Sequence, residues 1–153
     1  MENYVYNEDL ERFTHIDVDA GLRESVGNTA NYKKALFVAL KSIRGKLPII
    51  FGMIDDGEFG GFALIARTLS RICKSVGAEK IAKEVCYLQS ACINGNDSVL
   101  SERLPRLGRD LEGLLTELEE LLRLMDRKES INEMLTRKNS PLNEFLKRNY
   151  KAI

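Results

Sequence analysis

The stretch that decides the fold is residues 97–126, DSVLSERLPRLGRDLEGLLTELEELLRLMD. Leu100, Leu104, Leu107, Leu111, Leu114, Leu118, Leu121 and Met125 step by 4 and 3 in alternation. An α-helix turns once every 3.6 residues, so these side chains fall on one stripe. Leu115 and Leu122 widen it. The spacing predicts a helix over 98–126, on the order of 40 Å long. Pro105 is expected at its first regular turn, with a looser turn before it.

Working outward, Asn94-Gly95-Asn96-Asp97 reads as a turn, with Asp97 a helix cap. Upstream of it a helix is expected over 78–93, with Ala78, Ile81, Val85, Leu88 and Cys92 inward. Gly77 stands where a terminating glycine belongs. A further helix is expected over 58–75, with Phe62, Ile65, Leu69, Ile72 and Val76 as its buried stripe. A long helix is expected over 29–55, where Leu36, Leu40, Ile43, Leu47, Ile50 and Ile54 again step by 4 and 3. Pro48 predicts a kink within it, and Asp55-Asp56-Gly57 ends it. A short helix precedes it at 18–24, capped by Asp17 or Asp19. Ser140-Pro141 predicts another at 141–150.

Period-2 alternation is nearly absent. Two long helices flanking a helical hairpin predict an all-α chain: an antiparallel four-helix bundle with short additional N- and C-terminal helices. The 153 residues amount to one domain, with 127–153 as a C-terminal extension.

Charge excludes some classes of function. Lys+Arg and Asp+Glu are both 23, so no whole-molecule field draws the chain to nucleic acid or an anionic membrane. The charges are segregated: net −5 over residues 1–20, +5 over 21–96, −4 over 97–126 and +4 over 127–153. Cys73, Cys86 and Cys92 form no CxxC pair, which predicts reduced thiols. The longest apolar run, 47–54, is far short of the ~20 residues a bilayer span needs, and the N-terminus has no signal-peptide pattern. The expectation is a cytoplasmic protein.

The chemistry-bearing residues are few. His15 is the one histidine, and it reads as a surface residue or cap. No second His, no Glu-x-x-His and no Walker sequence accompanies it, so neither a metal nor a cofactor is expected. Cys92 is expected on a core stripe and Cys73 at the border of one. The informative feature is the outward face of the 58–75 helix. Arg67, Ser70, Arg71 and Lys74 share it at spacings of 3 and 4, with no acid among them. Such a face predicts docking to an acidic partner.

The order of elements and residues 66–78, ARTLSRICKSVGA, resemble a histidine phosphotransfer domain. That family's segment reads A-H-x-L-K-G-x-x-x-x-x-G-A, and Ala66, Leu69, Gly77 and Ala78 match it in spacing. Residues 16–22, IDVDAGL, resemble its entry helix, and Asp55-Asp56-Gly57 its turn. The likeness spans about residues 16–126. It implies a phosphorelay setting, with a receiver domain of a response regulator or hybrid histidine kinase as partner. The departures are pointed. The family's phosphoacceptor histidine falls on Arg67, its lysine on Ser70 and its glycine on Arg71. A guanidinium stays protonated and has no lone pair to attack an acyl phosphate. The resemblance thus implies a non-enzymatic domain that binds its partner and carries no phosphate. A different reading is an assembly module, a homodimer zipped along the 98–126 leucine seam.

Overall fold

The computed structural model describes residues 13–138, with side chains described through residue 128. Among the described residues there are five helices and no strand. They are α1 (Val18–Glu24), α2 (Thr29–Asp56), α3 (Phe62–Ser75), α4 (Glu79–Ile93) and α5 (Asp97–Lys138). The expected helix at 141–150 lies outside the described residues.

Local chemistry explains the boundaries. The Asp17 carboxylate accepts the Ala20 N–H at 3.1 Å and opens α1. The Asn28 side chain does the same for α2 through Asn31, at 2.9 Å. Gly57 closes α2 in the left-handed region, at φ 69°. Helix α3 starts at Phe62, four residues later than expected. Gly60 and Gly61 are poor helix formers, and Phe59 instead accepts the Phe62 N–H in a turn.

Both internal prolines are tolerated. α2 runs unbroken through Pro48, and α5 holds Pro105 inside the helix rather than at its first turn. The carbonyls left without an i+4 donor belong to exposed Arg44 and exposed Ser101, where water can replace the missing N–H. α5 also continues past 126 to Lys138. Its apolar period fades there, but Arg, Lys, Glu, Met and Leu are good helix formers without burial.

α3 packs on α4, α2 on α5, α4 on α5 and α2 on α3, so these four helices enclose one core. α2 and α5 run antiparallel: Lys33 pairs with Asp126, and Arg44 further along pairs with Glu119. The leucine seam is the heart of the core. Leu104, Leu107, Leu111, Leu114 and Leu118 are at most 1% exposed. The expected stripe residues are buried except Ile54, Ile65, Ile72 and Cys92, which are half-buried, as are Leu115 and Leu122 at the flanks of the α5 stripe. In α3 the deepest positions are Phe62, Ala66, Leu69 and Cys73, so its inward stripe is turned by one position. The small side chains at 66 and 73 are fully buried, while the longer isoleucines pack against the core from its flank. Burial pushes the Cys73 thiol pKa up to about 12. Cys92 is half-buried, against expectation, and its thiol donates to the Phe59 carbonyl at 3.3 Å.

The turn between α3 and α4 anchors the entry segment. The Asp17 N–H donates to the Gly77 carbonyl and the buried Tyr32 hydroxyl to the Val76 carbonyl, each at 2.9 Å. Gly77 sits at φ 92°, and a Cβ there would lie 2.0 Å from the Asp17 carbonyl oxygen. Both the conformation and the space therefore require glycine. Among the described residues no helix is long and apolar enough to cross a membrane.

Candidate functional site

α3 carries the candidate site because its stripes are sharply divided. With Phe62, Ala66, Leu69 and Cys73 inward, the opposite side presents Arg67, Arg71 and Lys74, all exposed. None of the three pairs with an acid among the described residues. The ion pairs there join other side chains, such as Arg103–Glu84 and Arg123–Glu120. Arg67 is therefore not folded back on the flanking helices, and its guanidinium is presented to solvent.

Ser70 is placed differently from its expected neighbours. It is half-buried in the seam between α3 and α4, where its hydroxyl donates to the Ala82 carbonyl at 3.2 Å. Its Oγ also lies 3.0 Å from the Cys86 Sγ, a hydrogen bond either atom can donate. Ser70 thus ties the hairpin together at the edge of the basic face. In its place the structure adds Leu64, 85% exposed and one helical turn before Arg67. The i−3 spacing to Arg67 is the signal that finds it. The face is a row of cations with an apolar side chain at one end.

His15 does not belong to this face. The backbone N–H groups of Thr14, His15 and Ile16 donate to the Glu117 carboxylate at 2.9, 3.0 and 3.1 Å. The Thr14 hydroxyl adds a fourth bond at 3.0 Å. This latch lays the entry segment on α5 and half-buries the imidazole over Gly113. A Cβ at Gly113 would sit 2.7 Å from the His15 Nε2, so the ring occupies space that only glycine leaves open. Sequence reasoning placed His15 on the surface or at a cap and did not foresee the latch.

His15 is among the residues that line an open groove of about 690 Å³ between α4 and α5. Its lining mixes Lys80, Arg103 and Arg106 with Glu84, Glu102 and Asp110. Arg103 is already engaged. Its guanidinium donates to both Glu84 oxygens, at 2.7 and 3.0 Å, and stacks 4.4 Å from the Tyr87 ring centroid. The Glu84 hydrogen bonds raise the Arg103 pKa, fixing its charge. With three cations against three acids, the groove selects no sign of ligand. Among the described residues no group of three or more His, Cys, Asp and Glu could hold a metal ion. No protein-family model matches the chain, and no curated protein or solved structure is significantly similar to it.

Proposed function

We propose that the chain is a pseudo-phosphotransfer protein. On this reading it is a four-helix bundle of the histidine phosphotransfer type, working in the cytoplasm, that docks a receiver domain without carrying phosphate. The observation that carries the reading is the row Arg67, Arg71 and Lys74, exposed and unpaired with any acid among the described residues. A receiver's phosphorylation site is a cluster of carboxylates, which such a row complements in charge. Leu64 supplies an apolar contact beside it. Arg67 stands where the resemblance puts the phosphoacceptor, and a guanidinium cannot serve as a nucleophile there. Binding without relay makes the protein a competitor of true phosphotransfer domains, or a scaffold.

The leucine seam of 98–126 favours this reading over assembly through that seam. Its leucines are already buried against α2 and α4, so a zipper along α5 would have to open the core.

The test is binding of purified receiver domains to the wild type and to Arg67→Glu/Arg71→Glu. The double variant is expected to lose at least tenfold in affinity, chiefly in the association rate, with an unchanged melting temperature. The wild-type affinity is expected to fall with salt, since exposed charges are screened beyond about 8–10 Å. A phosphorylated receiver is expected to leave no phosphohistidine on the chain. Binding indifferent to both salt and charge reversal, or label on His15, would remove the proposal.

A further inference from the structure

The outward side of α2 is as unusual as that of α3, and for the opposite reason. Its inward stripe is Leu36, Leu40, Ile43, Leu47 and Ile50. The far side then carries Phe37, Val38, Lys41, Pro48 and Ile49, with Gly45 and Gly52 between them. Phe37 and Val38 are 55% and 56% exposed, and Ile49 is 49% exposed. A solvated helix face ordinarily carries charge at most of these positions. Arg44 and Lys46 lie at the flanks of this face, the first already paired with Glu119, so Lys41 is the one charge near its centre line, and its ammonium lies 5.6 Å from the Phe37 ring. The space above Gly45 and Gly52 is open, with no atom within 4 Å of a Cβ built on either.

The charges at the two ends say what covers this face. Lys34 lies eleven residues before Gly45 and Asp56 eleven residues after it (45 − 34 = 56 − 45), both exposed on the same side of α2. Neither engages a partner among the described residues. A helix laid antiparallel on a copy of itself, with the two-fold axis at Gly45, sets Lys34 of each copy opposite Asp56 of the other. The same axis sets Val38 opposite Gly52, a side chain against a gap. It sets Lys41 opposite Ile49, an alkyl stem against an aliphatic side chain. Gly45 meets Gly45, where the backbones can approach most closely. The face is self-complementary in charge and in relief over about 33 Å of helix, which is the requirement of an isologous contact.

We propose that two copies of the chain associate antiparallel through the outward face of α2. The contact uses none of the residues of the basic face, which lies on α3. One helix face is small beside a standard interface of about 800 Å² per partner, so the dimer is weak and concentration-dependent.

Sedimentation equilibrium of the full chain tests this. The expected result is a mass rising from monomer to dimer over the micromolar to millimolar range. Val38→Glu/Ile49→Glu should abolish the rise, and Ile93→Glu, which alters an exposed apolar residue on α4, should leave it intact. Lys34→Glu alone and Asp56→Lys alone should each weaken the dimer about three- to thirtyfold, because each turns two exposed pairs into repulsions. An equimolar mixture of those two variants should regain the affinity, since the mixed dimer restores opposite charges at both ends. A chain monomeric throughout the range overturns the proposal. So does a dimer that survives Val38→Glu/Ile49→Glu, or a mixture no tighter than its components.

Discussion

The inward row of α5 and the outward row of α3 are spaced alike and have opposite fates. Leu104, Leu107, Leu111, Leu114 and Leu118 step by 3 and 4, and so do Arg67, Arg71 and Lys74. Spacing decides only that the members of a row share one side of a helix. Chemistry decides which side turns inward. Burying a leucine row gains apolar contact, whereas burying three guanidinium and ammonium groups without partners would cost several kcal/mol each, about the effective penalty for a desolvated ion. A core row is therefore constrained at every member, while an outward row is free to be selected for something other than the fold.

Removing a member of the inward row should have the largest effect. Leu111 is fully buried between helices, so Leu111→Ala loses its contacts and leaves a cavity. The expected loss is about 2–5 kcal/mol of unfolding free energy, read from urea or thermal unfolding monitored by circular dichroism. A loss below 1 kcal/mol would mean that the site collapses freely or that α5 does not hold the core.

The next effect belongs to the other side of α5. Glu117 sits among the leucines in sequence but faces the entry segment, taking three consecutive backbone N–H groups. Glu117→Ala strips those donors of their partner and should cost about 1–3 kcal/mol, less if water reaches the freed groups. Hydrogen exchange should localise the damage. The amides of Thr14, His15 and Ile16 are expected to exchange faster, with those of α4 unchanged. Uniform acceleration across the chain would show that the latch is part of the core rather than a fastening on it.

This contrast also explains what could be read from residues alone. The four long helices were legible because leucine and isoleucine repeat on one side of each, and Asp55-Asp56-Gly57, Gly77 and the turn at 94–97 punctuate them, whereas the Asn28 cap of α2 came from the structure. The basic row was legible for the same reason, as the complement of a buried stripe. The details of α3 were less so. Apolar pattern weights Ile65 and Ile72 above Ala66 and Cys73, yet it is the small residues that α3 buries completely. Ser70 was counted with the cations because it falls at the edge of their sector, where only packing against α4 decides its direction. The Glu117 latch joins residues about a hundred positions apart through a side chain and backbone N–H groups, and no local period encodes such a contact. The extent of α5 beyond 126 was not legible because the leucine repeat that defines the helix fades there, while good helix formers continue to Lys138.

Removing the outward row should have the smallest effect on stability, and its sign is informative. Arg67 and Arg71 lie at i and i+4, so their like charges repel by a few tenths of a kcal/mol on a solvated helix. Neither holds an acid among the described residues, so Arg67→Ala/Arg71→Ala sacrifices no ion pair. Alanine is at least as good a helix former as arginine. Relief of repulsion and helix propensity therefore act together, and the double variant should be unchanged or stabilised, by no more than about 0.5 kcal/mol. The gain should shrink as salt rises, because the repulsion is screened while propensity is not. Unfolding midpoints at low and high ionic strength measure this directly. A destabilisation above 1 kcal/mol would show that the arginines work for the fold, by stem packing or a hidden pair, and the row would lose its claim to be a surface kept for a partner.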